Sequence, residues 1–223
     1  MRPRKKPNLA NRMTKANSVL IENPTENKGR WREVLSSDEK STLHIELGTG
    51  KGGFICEIAK QNPDIMYIGI EKVPDVLVMA MEKAVAENLQ NVRFISGDAA
   101  LLAEYFTPQE FSRIYINFCD PWHKNRQAKR RLTHHNFLNL YTALLGMGGE
   151  VHFKTDNRPL FDFSLIEFEE CAYELNDVTF DLHALDAPWN IVTEYERTFS
   201  AKEFKINRLV ATVLDKTIDK AES

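Results

Sequence analysis

Hydrophobic positions in this chain follow two alternating patterns, which predict the order of its strands and helices. Short apolar runs typical of buried strands cover residues 42–47, 66–71, 92–95, 113–118, 150–154, 178–185 and 207–214. Apolar residues at helical spacing predict helices from a glycine-rich turn to about residue 61, and over 76–89, 101–106, 135–145 and 159–175. Strands that alternate with helices imply an α/β fold with a Rossmann-like, doubly wound and mostly parallel seven-stranded sheet.

Residues 1–30 lack this periodicity and contain three prolines, which predicts a basic, flexible or loosely docked N-terminal arm. The arm could contact phosphates or serve only as a solubilising tail. Residues 31–223 are predicted to form a single domain, because a segment of this length suits one α/β core. Because no apolar run has the length of a membrane span and the N-terminus lacks the apolar core of a signal peptide, we expect a cytoplasmic protein without a membrane partner.

The glycine-rich turn within residues 43–54 is the strongest local signal. Gly48, Gly50 and Gly53 fit the G-x-G-x-x-G pattern of nucleotide-binding loops, although a purely structural tight turn fits as well. Glu46 precedes the turn at the end of a strand. A carboxylate there would repel a pyrophosphate and attract a cationic ligand, so it weighs against NAD.

Five consecutive predicted strands end at or near a carboxylate, namely Glu46, Glu71, Asp98, Asp120 and Asp156. Any one of these acids could be a turn former or a helix cap. Together they predict an acidic rim where doubly wound sheets bind ligands. Glu71 has the spacing of an acid that binds a ribose, in NAD as well as in other nucleoside cofactors. Asp98 is placed to accept from an adenine amino group.

Charge is unevenly distributed along the chain, which has a formal net charge of −3. Residues 1–15 hold six Lys or Arg and no acid, and residues 122–131 hold five and no acid. Basic clusters of this kind predict a polyanionic partner such as RNA, or else a solvated charge run. Lys124, Arg126 and Lys129 are the RNA-contacting residues that we predict.

Cysteine and histidine spacing gives no indication of a metal site. The three cysteines are widely spaced and form no C-x-x-C pair. His134 and His135 are adjacent, so on a helix their side chains would point about 100° apart.

Several motifs resemble known families. Glu46 to Gly50 reads E-x-G-x-G and resembles the first motif of Rossmann-like S-adenosylmethionine-dependent methyltransferases. Asp120-Pro121-Trp122 is similar to the motif with which amino-directed methyltransferases hold a planar group, but it has a single proline; without the resemblance it could be a proline turn with a core tryptophan. Residues 117–131, 154–157 and 193–197, in this order, resemble the tRNA (guanine-N7)-methyltransferases of the bacterial TrmB type, with departures at Cys119 and His123.

This resemblance covers about residues 40–215 and implies a class I methyltransferase fold, S-adenosylmethionine as cofactor, and tRNA as partner. It implies methylation of guanine 46 in the variable loop by a monomer or homodimer. The implied cofactor-binding residues are Glu46, Gly48, Gly50, Glu71, Asp98 and Asp120. The implied substrate-binding residues are Lys124, Asp156, Thr193, Glu194, Tyr195 and Glu196.

Asp120 is the predicted catalytic residue. Guanine N7 carries a lone pair and no proton, so no general base is required, and a carboxylate near the base would stabilise the cation that forms. Two alternatives stay open from the residues alone: an NAD(P)-dependent oxidoreductase, and a non-catalytic RNA-binding protein on a methyltransferase scaffold. Binding of S-adenosylmethionine but not NAD would exclude the first, and loss of function in Asp120→Ala would exclude the second.

Overall fold

The structure is a computed structural model that describes residues 8–35, 42–193, 195–197 and 204–214. The chain divides into two compact units, one formed by Met1–Thr107 with Ile191–Glu194 and the other by Pro108–Asn190 with Tyr195–Ser223. A single domain over residues 31–223 stays a prediction. Within the described residues, no helix combines the length and the apolar character that crossing a bilayer requires.

Four parallel strands form the sheet of the first unit, and the strand that carries Glu46 is wholly buried. In spatial order the strands are β1 (Leu20–Ile21), β4 (Val92–Ser96), β3 (Met66–Glu71) and β2 (Leu43–Leu47). The helices are α1 (Leu9–Lys15), α2 (Trp31–Val34), α3 (Gly53–Gln61), α4 (Pro74–Ala86) and α5 (Leu102–Tyr105). All five residues of β2 are buried, and these include the polar residues His44 and Glu46 at alternate positions.

The second unit contains a mixed sheet and two long helices. Its strands, in spatial order, are β5 (Arg113–Asn117), β6 (Glu150–Thr155), β8 (Asn207–Val213) and β7 (Tyr173–Thr179). β5 and β6 are parallel, whereas β8 is antiparallel to both β6 and β7. The helices are α6 (His135–Leu145) and α7 (Arg158–Glu170), and a 3-10 helix covers Asn125–Arg130.

The predicted α/β class and the mostly parallel sheet are confirmed, but the described residues form eight strands and not seven, because β1 was not predicted. The predicted helix over 159–175 is too long, and the predicted strand over 178–185 is misplaced: β7 begins at Tyr173, and Leu182–Leu185 is a 3-10 helix. The cause is Ala172, which has φ 59 and ends α7 where a glycine or asparagine is usual.

The N-terminal segment is packed from Asn8 onward, and the flexible or loosely docked arm over residues 1–30 stays a prediction. α1 packs against α4, and the Arg12 Nε atom donates to the Glu82 Oε1 atom at 2.6 Å. β1 pairs with β4, and Val19 is buried. The segment carries few apolar residues, so its sequence shows little periodicity even though it is packed. Residues 1–7 lie outside the described part of the chain.

Candidate functional site

The glycine loop, residues 48–53, connects β2 to α3 in a left-handed backbone. Gly48 has φ 75 and Gly52 has φ 79. A Cβ atom at Gly52 would lie 2.6 Å from the Cβ of Ala80, so this glycine permits close packing on α4. A Cβ atom at Gly48 would meet nothing within 4 Å. The loop is therefore packed at one end and borders open space at the other, as a ligand-binding loop requires.

Two carboxylates are fixed around this loop. Glu46 is buried at the end of β2, and its Oε2 accepts from the Thr49 hydroxyl at 2.6 Å. Glu71, at the end of β3, accepts from the Gly50 N–H at 3.1 Å and from the Val73 N–H at 2.9 Å. Glu71 thus ties the loop to the start of α4, and each of its oxygens has a second lone pair for a further donor.

Asp98 follows β4 and already has protein partners. Its side chain accepts from the Ala100 N–H at 3.1 Å, so it caps a 3-10 helix, and it pairs with Lys72. The Lys72 hydrogen bond lowers the pKa of Asp98 and keeps it charged. A Cβ atom at Gly97 would lie 2.9 Å from the Tyr105 hydroxyl, so this glycine makes room for Tyr105.

Donor and acceptor chemistry in the first unit fits the methyl-donor cofactor predicted above. Glu46, Glu71 and Asp98 offer only acceptors when ionised. They suit a ligand that carries an ammonium group and ribose hydroxyls, and open space lies beside Gly48. A pyrophosphate would meet the same acids unfavourably.

In the second unit, exposed Asp120 lies in a turn whose backbone is held in uncommon conformations. Phe118 has φ 52 and Trp122 has φ 45, both in the left-handed region. The Phe118 N–H donates to the Lys154 carbonyl at 2.9 Å. Non-glycine residues in this region cost about 1–3 kcal/mol each and are often found at functional sites.

Arg131 clamps the same turn from the other side. Its Nε donates to the Pro121 carbonyl at 3.0 Å and its Nη2 to the Trp122 carbonyl at 3.2 Å. Its guanidinium carbon also lies 4.3 Å from the centroid of the Phe163 ring. Arg131 is therefore a structural residue and does not belong to an exposed basic platform.

The other basic residues of this segment remain on the surface. Lys124, Arg126 and Lys129 are exposed, on and just before the 3-10 helix Asn125–Arg130. The Arg130 guanidinium lies 5.0 Å from the centroid of the Trp122 ring. The three predicted RNA-contacting residues are thus accessible to a phosphate backbone.

Asp156 and Tyr195 are brought together by the fold. The Tyr195 hydroxyl donates to Asp156, and the pKa of Tyr195 is raised by burial first and by the charge of Asp156 second. The Tyr195 ring lies 4.9 Å from the Phe118 ring, centroid to centroid. Two predicted substrate-binding residues and the turn that carries Asp120 therefore form one continuous set of contacts.

Glu196, a predicted substrate-binding residue, is fully buried in this structure. Its side chain has an exposed fraction of 0% and contacts Lys154, Asn190 and His183, which we call the Glu196 network. Oε2 accepts from the Lys154 ammonium at 3.0 Å, and Oε1 accepts from the Asn190 amide at 2.8 Å. A carboxylate so enclosed has no surface to offer a base in this structure.

Sequence reasoning missed the Glu196 network because Lys154 is 42 positions from Glu196 and no pattern links the members. It named Glu196 as a substrate-binding residue and Lys154 as part of a motif, but it did not predict their contact. Thr193 is buried and belongs to the first unit. Glu194, a predicted substrate-binding residue, lies outside the described residues.

The two adjacent histidines do converge, contrary to the prediction. Ligand atoms of His134, His135 and Glu167 lie within 4.8 Å of one another. The error arose because His134 is the extended N-cap of α6, with ψ 147, and not a helical residue. Its Nδ1 accepts from the Asn136 N–H at 3.2 Å, and His135 Nδ1 lies 3.0 Å from Glu167 Oε2. The cluster thus caps α6 and ties it to α7.

The α/β units, together with an E-x-G-x-G loop, define the chain as a Rossmann-like methyltransferase. A family model described as "putative methyltransferase" matches residues 40–209. The tRNA (guanine-N(7)-)-methyltransferase of Listeria monocytogenes serotype 4b (strain F2365) is 49% identical over 211 residues, which cover 95% of this chain and 98% of that protein. The protein of the same name from Bacillus cytotoxicus is 46% identical, with 95% and 96% covered. The chain therefore belongs to the tRNA (guanine-N(7)-)-methyltransferase family, and the resemblance is confirmed.

A solved structure agrees on the fold. The crystal structure of the 16S rRNA methyltransferase KamB superimposes with a TM-score of 0.63 at 14% identity, over 83% of this chain and 93% of that one. At this identity the likeness concerns the fold alone.

Proposed function

We propose that this protein transfers a methyl group from S-adenosylmethionine to N7 of guanine 46 in the variable loop of tRNA. The observation that carries the proposal is the near-full-length match to relatives with this activity in their names. The acidic residues around the glycine loop support a cationic cofactor. The relatives give no support to a dehydrogenase or to a non-catalytic RNA-binding protein.

In the proposed cofactor site, Gly48 and Gly50 line the loop, Glu46 and Glu71 accept hydrogen bonds, and Asp98 binds the adenine end. S-adenosylmethionine supplies a methyl group on a positively charged sulfur. Glu46 neutralises nearby positive charge, and its hydrogen bond from Thr49 holds it in place. Asp98 would have to accept from the cofactor in addition to Lys72 and Ala100, which its remaining lone pairs permit.

Chemistry at N7 requires alignment and not proton removal. The lone pair attacks the methyl carbon, and the base becomes cationic as the bond forms. We assign Asp120 to this step, because its carboxylate stabilises positive charge on the base. The left-handed residues on either side of Asp120 and the Arg131 clamp hold the backbone that carries this side chain.

Recognition of guanine falls in the first place to Asp156. The Watson–Crick edge of guanine presents N–H donors at N1 and N2, which a carboxylate accepts and which adenine lacks. Tyr195 orients Asp156 through its hydroxyl. We propose that Thr193 and Glu194 also bind the substrate. Glu196 contacts the base only if it exchanges its partners in the Glu196 network.

The exposed basic residues Lys124, Arg126 and Lys129 are proposed to contact the RNA backbone, with Lys124 next to the substrate base. Phosphate contacts of this type position the RNA without reading its sequence. We further propose that the protein acts in the cytoplasm, as a monomer or a homodimer.

The test is incubation with methyl-labelled S-adenosylmethionine and unmodified tRNA transcript, followed by digestion to nucleosides. We expect label in 7-methylguanosine and none when guanine 46 is replaced by adenine. Asp120→Asn, which keeps the shape but not the charge, should lower kcat with little effect on tRNA affinity. Label in another nucleoside would reject the assignment of Asp156, and wild-type kcat in Asp120→Asn would reject the role of Asp120.

A further inference from the structure

A solvent-exposed tryptophan lies directly beside the Glu196 network. Trp189 is 53% exposed and precedes Asn190. The Asn190 side-chain Nδ2 donates to Glu196, and its side-chain Oδ1 accepts from Lys154. The backbone therefore links this indole to a buried cluster that neighbours the Asp156–Tyr195 pair.

One face of the indole is covered by a cation that is itself held in place. The guanidinium carbon of Arg208 lies 4.2 Å from the centroid of the Trp189 ring. Arg208 belongs to β8, where it pairs in register with Lys154 of β6, and its side chain is only 8% exposed. Its Nη1 also contacts Asp177 Oδ2 at 3.4 Å. Because one face is covered and more than half of the residue is exposed, the opposite face is open to solvent.

We propose that Trp189 is a stacking platform for a nucleobase of the tRNA next to the target guanine. This inference rests on the proposed function. An enzyme that acts on a single base takes it out of its stack, which costs stacking energy in the RNA. An exposed aromatic ring restores stacking to a displaced or neighbouring base, and it does so for any base because every base has a flat π-face.

Charges around the indole favour stacking over phosphate binding as its role. Arg208, the cation that covers the indole, is paired with Asp177. Since this cation already has an anionic partner, a contact here releases few counterions. The platform should therefore add affinity that does not depend on salt, unlike Lys124, where loss of the charge should flatten the salt dependence.

The experiment compares tRNA binding by Trp189→Ala and Trp189→Phe with the wild-type protein over a range of salt concentrations. We expect Trp189→Ala to raise Kd about tenfold at every salt concentration, in the range of one lost base–aromatic stack. Trp189→Phe should recover most of the affinity. Ile166→Ala serves as the matched control, because Ile166 is an apolar side chain of the same unit with 58% exposure.

Tryptophan fluorescence gives a second readout, since Trp31 is fully buried and Trp122 is only partly exposed. tRNA should quench the emission of the wild-type protein, and Trp189→Phe should lose the share of that quenching that Trp189 contributes and keep the share of Trp122 in the Asp120 turn. The proposal is overturned if Trp189→Ala binds tRNA as tightly as Ile166→Ala. It is also overturned if sedimentation shows a dimeric wild-type protein and a monomeric Trp189→Ala variant, since Trp189 would then be an interface residue. Absence of 7-methylguanosine from the wild-type reaction would reject the proposed function. The comparison of tRNA affinity between Trp189→Ala and Ile166→Ala would still test whether Trp189 stacks on a base.

Discussion

The buried ion pair between Lys154 and Glu196 makes a quantitative prediction about stability. The Lys154 side chain is 7% exposed and that of Glu196 is 0% exposed, so neither charge has water as an alternative partner. Removing one member of a buried pair costs about 3–5 kcal/mol, because the other charge stays buried without its partner. Methionine has a similar length to lysine, so Lys154→Met removes the charge and leaves little cavity. We expect this variant to lose about 3 kcal/mol or more of unfolding free energy.

Chemical denaturation of four proteins measures this effect: wild type, Lys154→Met, Glu196→Gln and the double variant. Each single variant leaves one buried charge without its main ion-pair partner, although Glu196 keeps its contacts with Asn190 and His183 in Lys154→Met. The double variant removes both charges. The double variant should therefore be more stable than the sum of the single changes predicts, by about 2 kcal/mol. The denaturant midpoint should shift without a change in m.

A surface pair supplies the control. Arg30 and Glu33 are joined at 3.1 Å, and both side chains are largely exposed. Arg30→Met should change stability by about 0.5 kcal/mol or less. The buried-pair reasoning is wrong if Lys154→Met resembles this control, or if the Lys154 and Glu196 effects are additive.

Three further predictions concern other parts of the chain. Gly52→Ala should destabilise the fold strongly in thermal unfolding, because its Cβ would lie 2.6 Å from the Cβ of Ala80. Gly48→Ala should lower stability by only about 1–2 kcal/mol, for its left-handed backbone. Its main effect should be weaker S-adenosylmethionine binding, measured by calorimetry. Burial, followed by the charge of its histidine neighbour, lowers the pKa of His134, so the unfolded state binds a proton first and stability should fall as the pH drops below about 6.5. His134→Asn keeps a helix cap that does not titrate, and its urea midpoint should change less between about pH 7.5 and 5.5; an unchanged slope would contradict the cap. Deletion of residues 1–7, which include four Lys or Arg, should make tRNA affinity less dependent on salt, and an identical salt slope would show that they contact no phosphate.

Sequence reasoning succeeded where one element's pattern determines its structure. The strand Met66–Glu71 and the helix His135–Leu145 were predicted with their observed bounds, because buried strands and amphipathic helices impose periodicity on their own residues. The glycine loop was also predicted from its own residues. The end of α7 was not predicted, because Ala172 adopts a left-handed conformation that an alanine does not indicate in a sequence.

The side-chain partners of the predicted site residues could not be derived from the sequence. Glu196 and Lys154 are 42 positions apart, and nothing in either neighbourhood indicates that they meet. Arg131 looked like any other member of a basic run, yet it holds the backbone of the Asp120 turn. The partner of a long side chain depends on tertiary packing, which a single sequence does not specify.

Lys154 connects the parts of the second unit that the proposed reaction uses. Its carbonyl accepts from Phe118 at the start of the Asp120 turn, and its ammonium holds Glu196 beside Tyr195. The Tyr195 ring in turn lies against the Phe118 ring. A reaction that requires only alignment of a lone pair with a methyl group gains most from rigid placement. In this protein, rigid placement of the Asp120 turn and of Tyr195 depends on Lys154, which need not touch the substrate. The contribution of the Lys154–Glu196 pair to stability is therefore the first quantity to measure.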